Sequence, residues 1–254
     1  MNERFALKAR DYLGTPERKR EYNELHFAEA ARHYDLVTRV MSLGRDQRWK
    51  QHLVAFLPGV SSPRCADLAC GTGDVAFLLA KRYPGGSIVG LDISMPMLDI
   101  ARRRNRYENL RFECGDLSAL PFPDASFDVI TGSYALRNAP DLRSALREVR
   151  RVLRPGGTAA ILDFSRPTLP FLQRFQYILL RGWCGFWGFL LHGTPEVHGY
   201  IANSLKEFPD RKRLLEILQE EGLTVGLSRR YFLGITEILV LRRSRQPLEV
   251  AGAP

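Results

Sequence analysis

The segment D-L-A-C-G-T-G-D, Asp67 to Asp74, constrains the fold more than any other part of this chain. A short apolar-leaning run opening at Arg64 leads into it, and an amphipathic helical pattern (Val75, Leu78, Leu79) follows it. A second run, Ser87 to Leu91, ends in Asp92. Strand, glycine turn, helix and a strand with an acidic tip make the nucleotide-binding half of a doubly wound α/β fold. Gly71 and Gly73 have no Cβ, so backbone can pass close to a ligand there. Asp92 lies about 20 residues past the glycines, where a carboxylate reaches ribose hydroxyls. A glycine turn that merely joins strand to helix is the alternative, and the agreement of turn, strand and acidic tip weighs against it.

The type of nucleotide follows from charge. A dinucleotide fingerprint asks for a third glycine three residues past Gly73, and Ala76 stands there, which that fingerprint tolerates. Asp67 before the turn and Asp74 within it are poor neighbours for a pyrophosphate and good ones for a cation. S-adenosylmethionine carries a sulfonium, an ammonium and no phosphate. The turn therefore reads as a methyl-donor site.

A length of 254 residues suits one large α/β domain with a cap. Residues 1–57 read as a helical N-terminal segment closing over the site, irregular up to about Thr15 and ended by Pro58 and the Ser61-Ser62-Pro63 turn. Residues 58–254 read as the donor-binding domain. Strands are expected at 64–69, 87–92, 110–114, 127–132 and 158–163, with helices between them, so the sheet is mostly parallel. The clearest helix spans 141–153, with Leu142, Ala145, Leu146, Val149, Val152 and Leu153 on one apolar face and Pro155-Gly156-Gly157 as its stop. Alternation then ceases. Residues 168–204 are rich in aromatics without period-2 patterning and read as an inserted helical cap. A helix over 210–221 follows, stopped by Gly222, and two strands, 223–228 and 231–241, close the sheet at seven. The tail from Arg242 reads as disordered.

Four cysteines (Cys65, Cys70, Cys114, Cys184) have no paired spacing. They read as small core residues of a reducing compartment, and no His/Cys cluster has zinc spacing. The N-terminus lacks an apolar signal core, so a cytoplasmic protein is expected. The formal charge is +9. Nucleic-acid binding would require a recognisable module, and none is found. Peripheral contact with the inner face of a membrane requires only charge and exposed apolar groups. Solvated helix faces are the plainest account of the individual basic clusters.

Two further constellations sit at strand ends. Asp116, after the third strand, can accept from an adenine amino group and the Leu117 amide can face the ring, although an Asp there also suits a turn. The fourth strand runs into S-Y-A-L-R-N, Ser133 to Asn138, at the carboxyl end of the sheet where α/β proteins bind ligands. Arg137 is permanently charged and Asn138 both donates and accepts, so together they can hold an oxyanion beside the methyl donor. Pairing of Arg137 with a nearby carboxylate is the alternative.

Taken together, these residues resemble the menaquinone/ubiquinone biosynthesis C-methyltransferases. The resemblance covers Y-D-L-V-T-R-V-M-S-L-G-R-D-Q-R-W-K (Tyr34 onward), D-L-A-C-G-T-G-D, L-D-I-S-M-P-M-L, A-L-P-F-P-D-A-S-F-D, Y-A-L-R-N, R-V-L-R-P-G-G, L-D-F-S-R-P and Y-I-A-N-S-L-K-E-F-P-D. The glycine motif and P-G-G are widespread among methyltransferases. The M-S-L-G-x-x-x-x-W-K, L-R-N and Y-x-A-x-S-x-x-x-x-P-D segments are far more specific. The resemblance implies a Rossmann-like class I methyltransferase with helices on both faces of the sheet, using S-adenosylmethionine to methylate a ring carbon of a prenylated quinol. Candidate donor residues are Asp67, Ala69, Gly71, Thr72, Gly73, Asp92, Ile93, Met97, Asp116, Leu117 and Ser133. Tyr34, Arg137 and Asn138 are implied to face the acceptor, with Tyr134, His198 and Tyr200 as further acceptor contacts.

The sequence departs from the family pattern between Leu169 and His198 and lacks a late histidine after G-I-T-E-I-L-V-L. Another lipophilic small molecule, methylated on carbon, oxygen or nitrogen, is therefore the alternative acceptor, and a non-catalytic donor-binding protein a more distant one. The longest uncharged run of the aromatic segment, 182–191, is far below the roughly 20 residues a spanning helix needs. Its Trp183, Phe186, Trp187 and Phe189 suit an interface, an isoprenoid tail or a packed cap. Aromatic C-methylation calls for a base, an oxyanion partner and tight alignment. Arg137 is assigned the oxyanion, Asn138 the hydroxyl, and Tyr34 a water or proton relay; His33 and His198 are candidate bases. No metal is called for, and a homodimer is left open.

Overall fold

The computed structural model describes residue 12 and residues 14–31, 34–192 and 196–243, with side chains 191–199 outside that description. The elements run α1 (Pro16–Ala30), α2 (Tyr34–Met41), α3 (Asp46–Ala55), β1 (Arg64–Leu68), α4 (Asp74–Arg82), β2 (Ser87–Asp92), α5 (Met95–Arg104), β3 (Leu110–Cys114), β4 (Phe127–Ser133), α6 (Leu142–Val152), β5 (Leu153–Phe164), α7 (Pro170–His192), α8 (Glu196–Glu207), α9 (Arg211–Glu220), β6 (Leu223–Tyr231) and β7 (Thr236–Arg243). Seven strands form one sheet in the order β3-β2-β1-β4-β5-β7-β6. The first five are parallel, and β7 runs antiparallel between β5 and β6. The chain order reverses between β1 and β4, which opens a crevice beyond their carboxyl ends.

Strand residues alternate between two apolar layers. Ala66, Val89, Ile130, Ala159 and Leu239 pack with Leu146 and Val149 of α6 and Ile217 and Leu218 of α9. Their neighbours Cys65, Ile88, Val129, Ala160 and Ile238 pack with Leu53 of α3, Leu79 of α4 and Leu98 of α5. Period-2 alternation with both sets apolar is what a parallel sheet covered on both faces requires.

Several boundaries differ from the sequence reading. Pro155-Gly156-Gly157 does not stop the helix but lies inside β5, where the β4–β5 register shifts between the Phe127 and Val129 pairs; the helix ends at Val152. A proline and two glycines fit an irregular strand as well as a helix terminus. The last strand does not start at Tyr231. Phe232 and Leu233 take φ of 53° and 56°, in the left-handed region, and turn the chain between β6 and β7. Arg242 and Arg243 belong to β7 rather than to a tail, and the rest of that tail lies outside the described residues. Cys114 is exposed, not a core residue, whereas Cys65, Cys70 and Cys184 are buried.

Candidate active site

The glycine turn is built as its sequence demands. Gly73 caps α4 at φ 91°, and a Cβ there would come within 2.9 Å of Phe77 Cζ, so only glycine fits. Gly71 (φ 54°) differs: a Cβ would meet only Tyr34 Cε1, at 3.9 Å. Its missing side chain leaves space beside the ligand crevice. Ala69 and Tyr134, at the ends of β1 and β4, also adopt positive φ of 52° and 58°. Left-handed backbone on a tyrosine is strained and marks a place where geometry is imposed for a purpose.

Two adjoining cavities occupy the crevice. The smaller is lined by Ala69, Gly71, Asp92, Ile93, Met97, Asp116, Leu117 and Ser133, together with Asn23 and Phe27 of α1. The larger, about 270 Å³, is mostly apolar; its wall includes Val37, Met41, Leu180, Trp183, Cys184 and Ile201, with His26, Arg137 and Tyr200 among its polar groups. Phe27, Tyr34, Tyr134 and Asn138 line both, so these four residues form the boundary between them.

Asp92 is almost fully buried and accepts the Gly71 amide on Oδ2 at 2.8 Å and the Ser94 amide on Oδ1 at 2.9 Å. Burial raises its pKa while these amides oppose the rise. A carboxylate oxygen has lone pairs to spare after one amide, so Asp92 can still receive two hydroxyls. Asp116 accepts the Ser118 amide and is paired with Arg20 of α1 at 3.2 Å. Asp116 thus forms the turn weighed from the sequence and also lines the small cavity.

Three candidate donor residues stand back from the cavity. Thr72 gives its hydroxyl to Asp35 of α2 at 2.7 Å, and Gly73 is enclosed by Phe77 and Phe112. Asp67 accepts the Thr131 hydroxyl at 2.7 Å, tying β1 to β4. Asp74, read as a neighbour for a cationic donor, instead meets Lys50 at 2.9 Å and Arg104 at 2.8 Å. Burial alone would raise the Asp74 carboxyl, but Lys50, then Gln47 and Arg104, hold it below its ordinary value. Arg104 also pairs with Asp35 at 2.9 Å, so its charge fastens α2 to the glycine turn rather than simply facing solvent.

Asp67 gives a test of the buried carboxyl. Burial pushes it up to about 7, against the pull of the Thr131 hydroxyl. Because the folded value lies above the unfolded one, its contribution to stability is complete below about pH 4 and is lost as pH rises to about 7. Asp67→Asn keeps an acceptor for Thr131 and removes the titration. Urea denaturation across that window is expected to show a flatter pH dependence in the variant; the same slope in both proteins would contradict the assignment.

Arg137 is 4% exposed. It hydrogen-bonds Ser204 Oγ through Nη1, and its Cζ lies 5.2 Å from the Phe164 ring and 5.8 Å from the Tyr200 ring. The carboxylate pairing weighed from the sequence is real but loose: Nε stands 3.8 Å from Asp163 Oδ1, too far for a hydrogen bond, and is a buried donor without a partner among the described residues. Asn138 gives its Nδ2 to Tyr134 O at 2.8 Å, and its Oδ1 is a buried acceptor equally without a partner. Unsatisfied donor and acceptor atoms in one cavity wall are costly unless a ligand completes them.

The L-R-N turn is clamped from α1. Lys19 Nζ donates to Arg137 O at 3.1 Å and Ala139 O at 2.6 Å, and Asn23 Nδ2 donates to Asn138 O at 2.7 Å. Tyr200 OH donates to Asn23 Oδ1 at 3.0 Å. Burial, then the charge of Arg137, lowers Lys19 to about 8. Burial pushes Tyr200 up to about 12 and raises Tyr34 and Tyr134 as well, so all three remain neutral phenols near neutral pH.

Of the expected acceptor contacts, Tyr34, Tyr134, Arg137, Asn138 and Tyr200 come together in one cavity. His33 and the His198 side chain lie outside the described residues. Sequence reading expected helix from about Thr15 onward but named no site residue on α1. His26 lines the large cavity, with Tyr22 OH 3.3 Å from its Nδ1 and its ring 5.2 Å from Tyr22 and 5.1 Å from Tyr200. The available signal was the recurrence of Tyr22, Asn23, His26 and Ala30 at helical spacing, all buried.

Comparison with known proteins agrees with this architecture. The chain is 36% identical over 210 residues to the demethylmenaquinone methyltransferase of Roseiflexus castenholzii, covering 83% of this chain and 88% of that one. It is 39% identical over 203 residues to that of Deinococcus radiodurans (77% and 82% covered). It is 33% identical over 211 residues to the ubiquinone/menaquinone biosynthesis C-methyltransferase UbiE of Desulfotalea psychrophila (83% and 86%). A solved SAM-dependent methyltransferase from Aquifex aeolicus superposes with a TM-score of 0.56 at 16% identity, over 82% of this chain and 97% of that one, a likeness of fold. The model of the ubiE/COQ5 methyltransferase family matches residues 17–239, and the chain belongs to that family.

Proposed function

We propose that this methyltransferase methylates a ring carbon of a prenylated quinol, of the demethylmenaquinol type, with the acceptor in the large cavity and S-adenosylmethionine in the small one. Use of S-adenosylmethionine goes with the family and the fold. The lining of the small cavity supports this: the Asp92 carboxylate keeps lone pairs that ribose hydroxyls could use, and Gly71 leaves space there. The observation that carries the proposal is the wall of the large cavity. It is apolar apart from a few residues, among them Arg137 and Asn138, whose Nε and Oδ1 are buried without a hydrogen-bond partner among the described residues. A greasy ring bearing hydroxyls completes such a wall. Relatives that act in quinone biosynthesis, by their names, support the same reading.

Bound S-adenosylmethionine supplies an electrophilic methyl group on a sulfonium. The protein has to make the ring carbon nucleophilic and align it. Arg137 stabilises the quinol oxyanion, and its burial among Phe164, Tyr200 and Asp163 strengthens that charge interaction. Asn138 accepts the second hydroxyl through Oδ1. Tyr34, Tyr134 and Phe27 fix the ring plane at the boundary. The neutral tyrosines are not bases. His26 takes the hydroxyl proton at its ring, oriented by Tyr22 at Nδ1. After the methyl has transferred, the hydrogen on the same ring carbon leaves as a proton while the oxygen is reprotonated, restoring the aromatic quinol. Lys19 and Asn23 hold the Arg137–Asn138 backbone in register from α1.

His26→Gln is expected to lower kcat/KM for the quinol about 10²-fold, with donor affinity unchanged. An unchanged kcat/KM would move the base elsewhere. The function itself is tested by nuclear magnetic resonance of the product made with ¹³C-methyl donor. A methyl on a ring carbon supports the proposal, and a methoxyl or N-methyl signal transfers the chain to another acceptor chemistry. A prenylated acceptor partitions into lipid, so peripheral contact with a membrane belongs to this proposal.

A further inference from the structure

The mouth of the acceptor cavity is itself apolar and exposed. Leu43 in the α2–α3 turn, Leu179 and Trp183 on α7, and Phe232 in the β6–β7 turn all line the cavity, yet remain 36–57% exposed. Beside them, α7 turns Phe171, Phe175, Ile178, Phe186 and Phe189 outward, at 58–67% exposure. Their spacing of three and four residues, completed at Gly182, puts them on one face of the helix. The opposite face is buried through Gln176, Leu180 and Cys184. At the tip of the β6–β7 turn, Leu233 is fully exposed at φ 56°, a strained conformation that presents a leucine to the surroundings. No soluble monomer gains from such a patch unless something covers it.

Charge identifies the cover. The segments that make the mouth, 42–45, 170–192 and 229–235, contain Arg45, Arg174, Arg181, Arg229 and Arg230 and no aspartate or glutamate. An apolar face whose own segments carry arginines and no carboxylate matches the headgroup boundary of an anionic lipid bilayer. No helix of the described residues is long and apolar enough to cross a membrane. We infer that α7 and the two turns form a docking face that seats the cavity mouth on an anionic bilayer, so that the acceptor passes from lipid to the site without crossing water. This rests on the proposed prenylated acceptor for its purpose, but not for its test.

The test uses the full chain and sedimentation with vesicles of phosphatidylcholine alone or mixed equally with phosphatidylglycerol. Binding to the anionic vesicles is expected to exceed that to neutral ones about tenfold or more. The variant Phe175→Glu/Phe186→Glu/Phe189→Glu, which leaves the cavity lining intact, is expected to lose at least about tenfold of that binding. Its circular dichroism, donor affinity and turnover of a short-tailed, water-soluble quinol are expected to match the parent, while turnover of a long-tailed quinol held in vesicles falls. Failure of the parent to bind anionic vesicles, or equal binding by the variant, overturns the inference. So does a parent dimer that the variant dissolves, since a second copy would then cover this face. Vesicle binding without methylation of any quinol would sink the acceptor assignment and leave the docking face standing.

Discussion

Replacing Arg137 by alanine is expected to lower kcat about 10²–10³-fold while S-adenosylmethionine binds as before. Removal of one preorganised donor to an oxyanion has that magnitude when the site is shielded from water, and Arg137 is among the least exposed charged side chains here. The guanidinium does not line the small cavity, so donor affinity is the internal control. The substitution also removes a charge beside buried Asp163, whose carboxyl is raised by burial and lowered by Arg137. Breaking a buried pair destabilises a protein by about 3–5 kcal/mol. Arg137→Lys therefore accompanies the alanine variant. It keeps the charge and loses the planar fork, and is expected to fold like the parent and still turn over slowly. Titration calorimetry with donor and steady-state rates with quinol measure the two effects. Equal loss of donor binding and rate would show that Arg137 supports the fold of the site rather than the reacting oxygen.

Asp92→Ala is expected to act on the other cavity. Hydrogen bonds to a charged group contribute about 1.5–3 kcal/mol, so loss of Asp92 raises the donor Kd by about 10–100-fold. Part of that effect is indirect, because Asp92 also anchors the Gly71 and Ser94 amides that shape the turn. At saturating donor, kcat is expected to stay near the parent value, the pattern of lost uniform binding. An unchanged donor Kd would remove Asp92 from the ribose site.

The nucleotide half was legible because local chemistry dictates it. Gly73 cannot be another residue without striking Phe77, and Asp92 sits where β2 must end if β1 and β2 pair in parallel. The L-R-N turn was legible for the same reason, since the carboxyl end of β4 faces the crevice. What sequence could not supply was the destination of side chains set by long-range packing. Asp74 looked like a partner for a cation in the crevice, yet Lys50 of α3 claims it across 24 positions. Asp67 turned toward Thr131 on the neighbouring strand. His26 was hidden because α1 has no continuous apolar face; it is held by polar links from Lys19, Arg20 and Asn23 to residues more than 90 positions away. The Pro155-Gly156-Gly157 reading failed because those residues end a helix or disturb a strand equally well, and only pairing with β4 decides between them.

The proposed reaction activates a quinol through its oxyanion and methylates the adjacent ring carbon. The most direct measurement is transfer of label from S-adenosylmethionine to chemically reduced demethylmenaquinol, run beside the oxidised quinone. Label entering the ring from the quinol alone is the predicted result, because the quinone has no hydroxyl proton to lose and no oxyanion for Arg137 to stabilise. Equal labelling of quinone and quinol, or donor binding with no transfer to any quinol, would contradict the account.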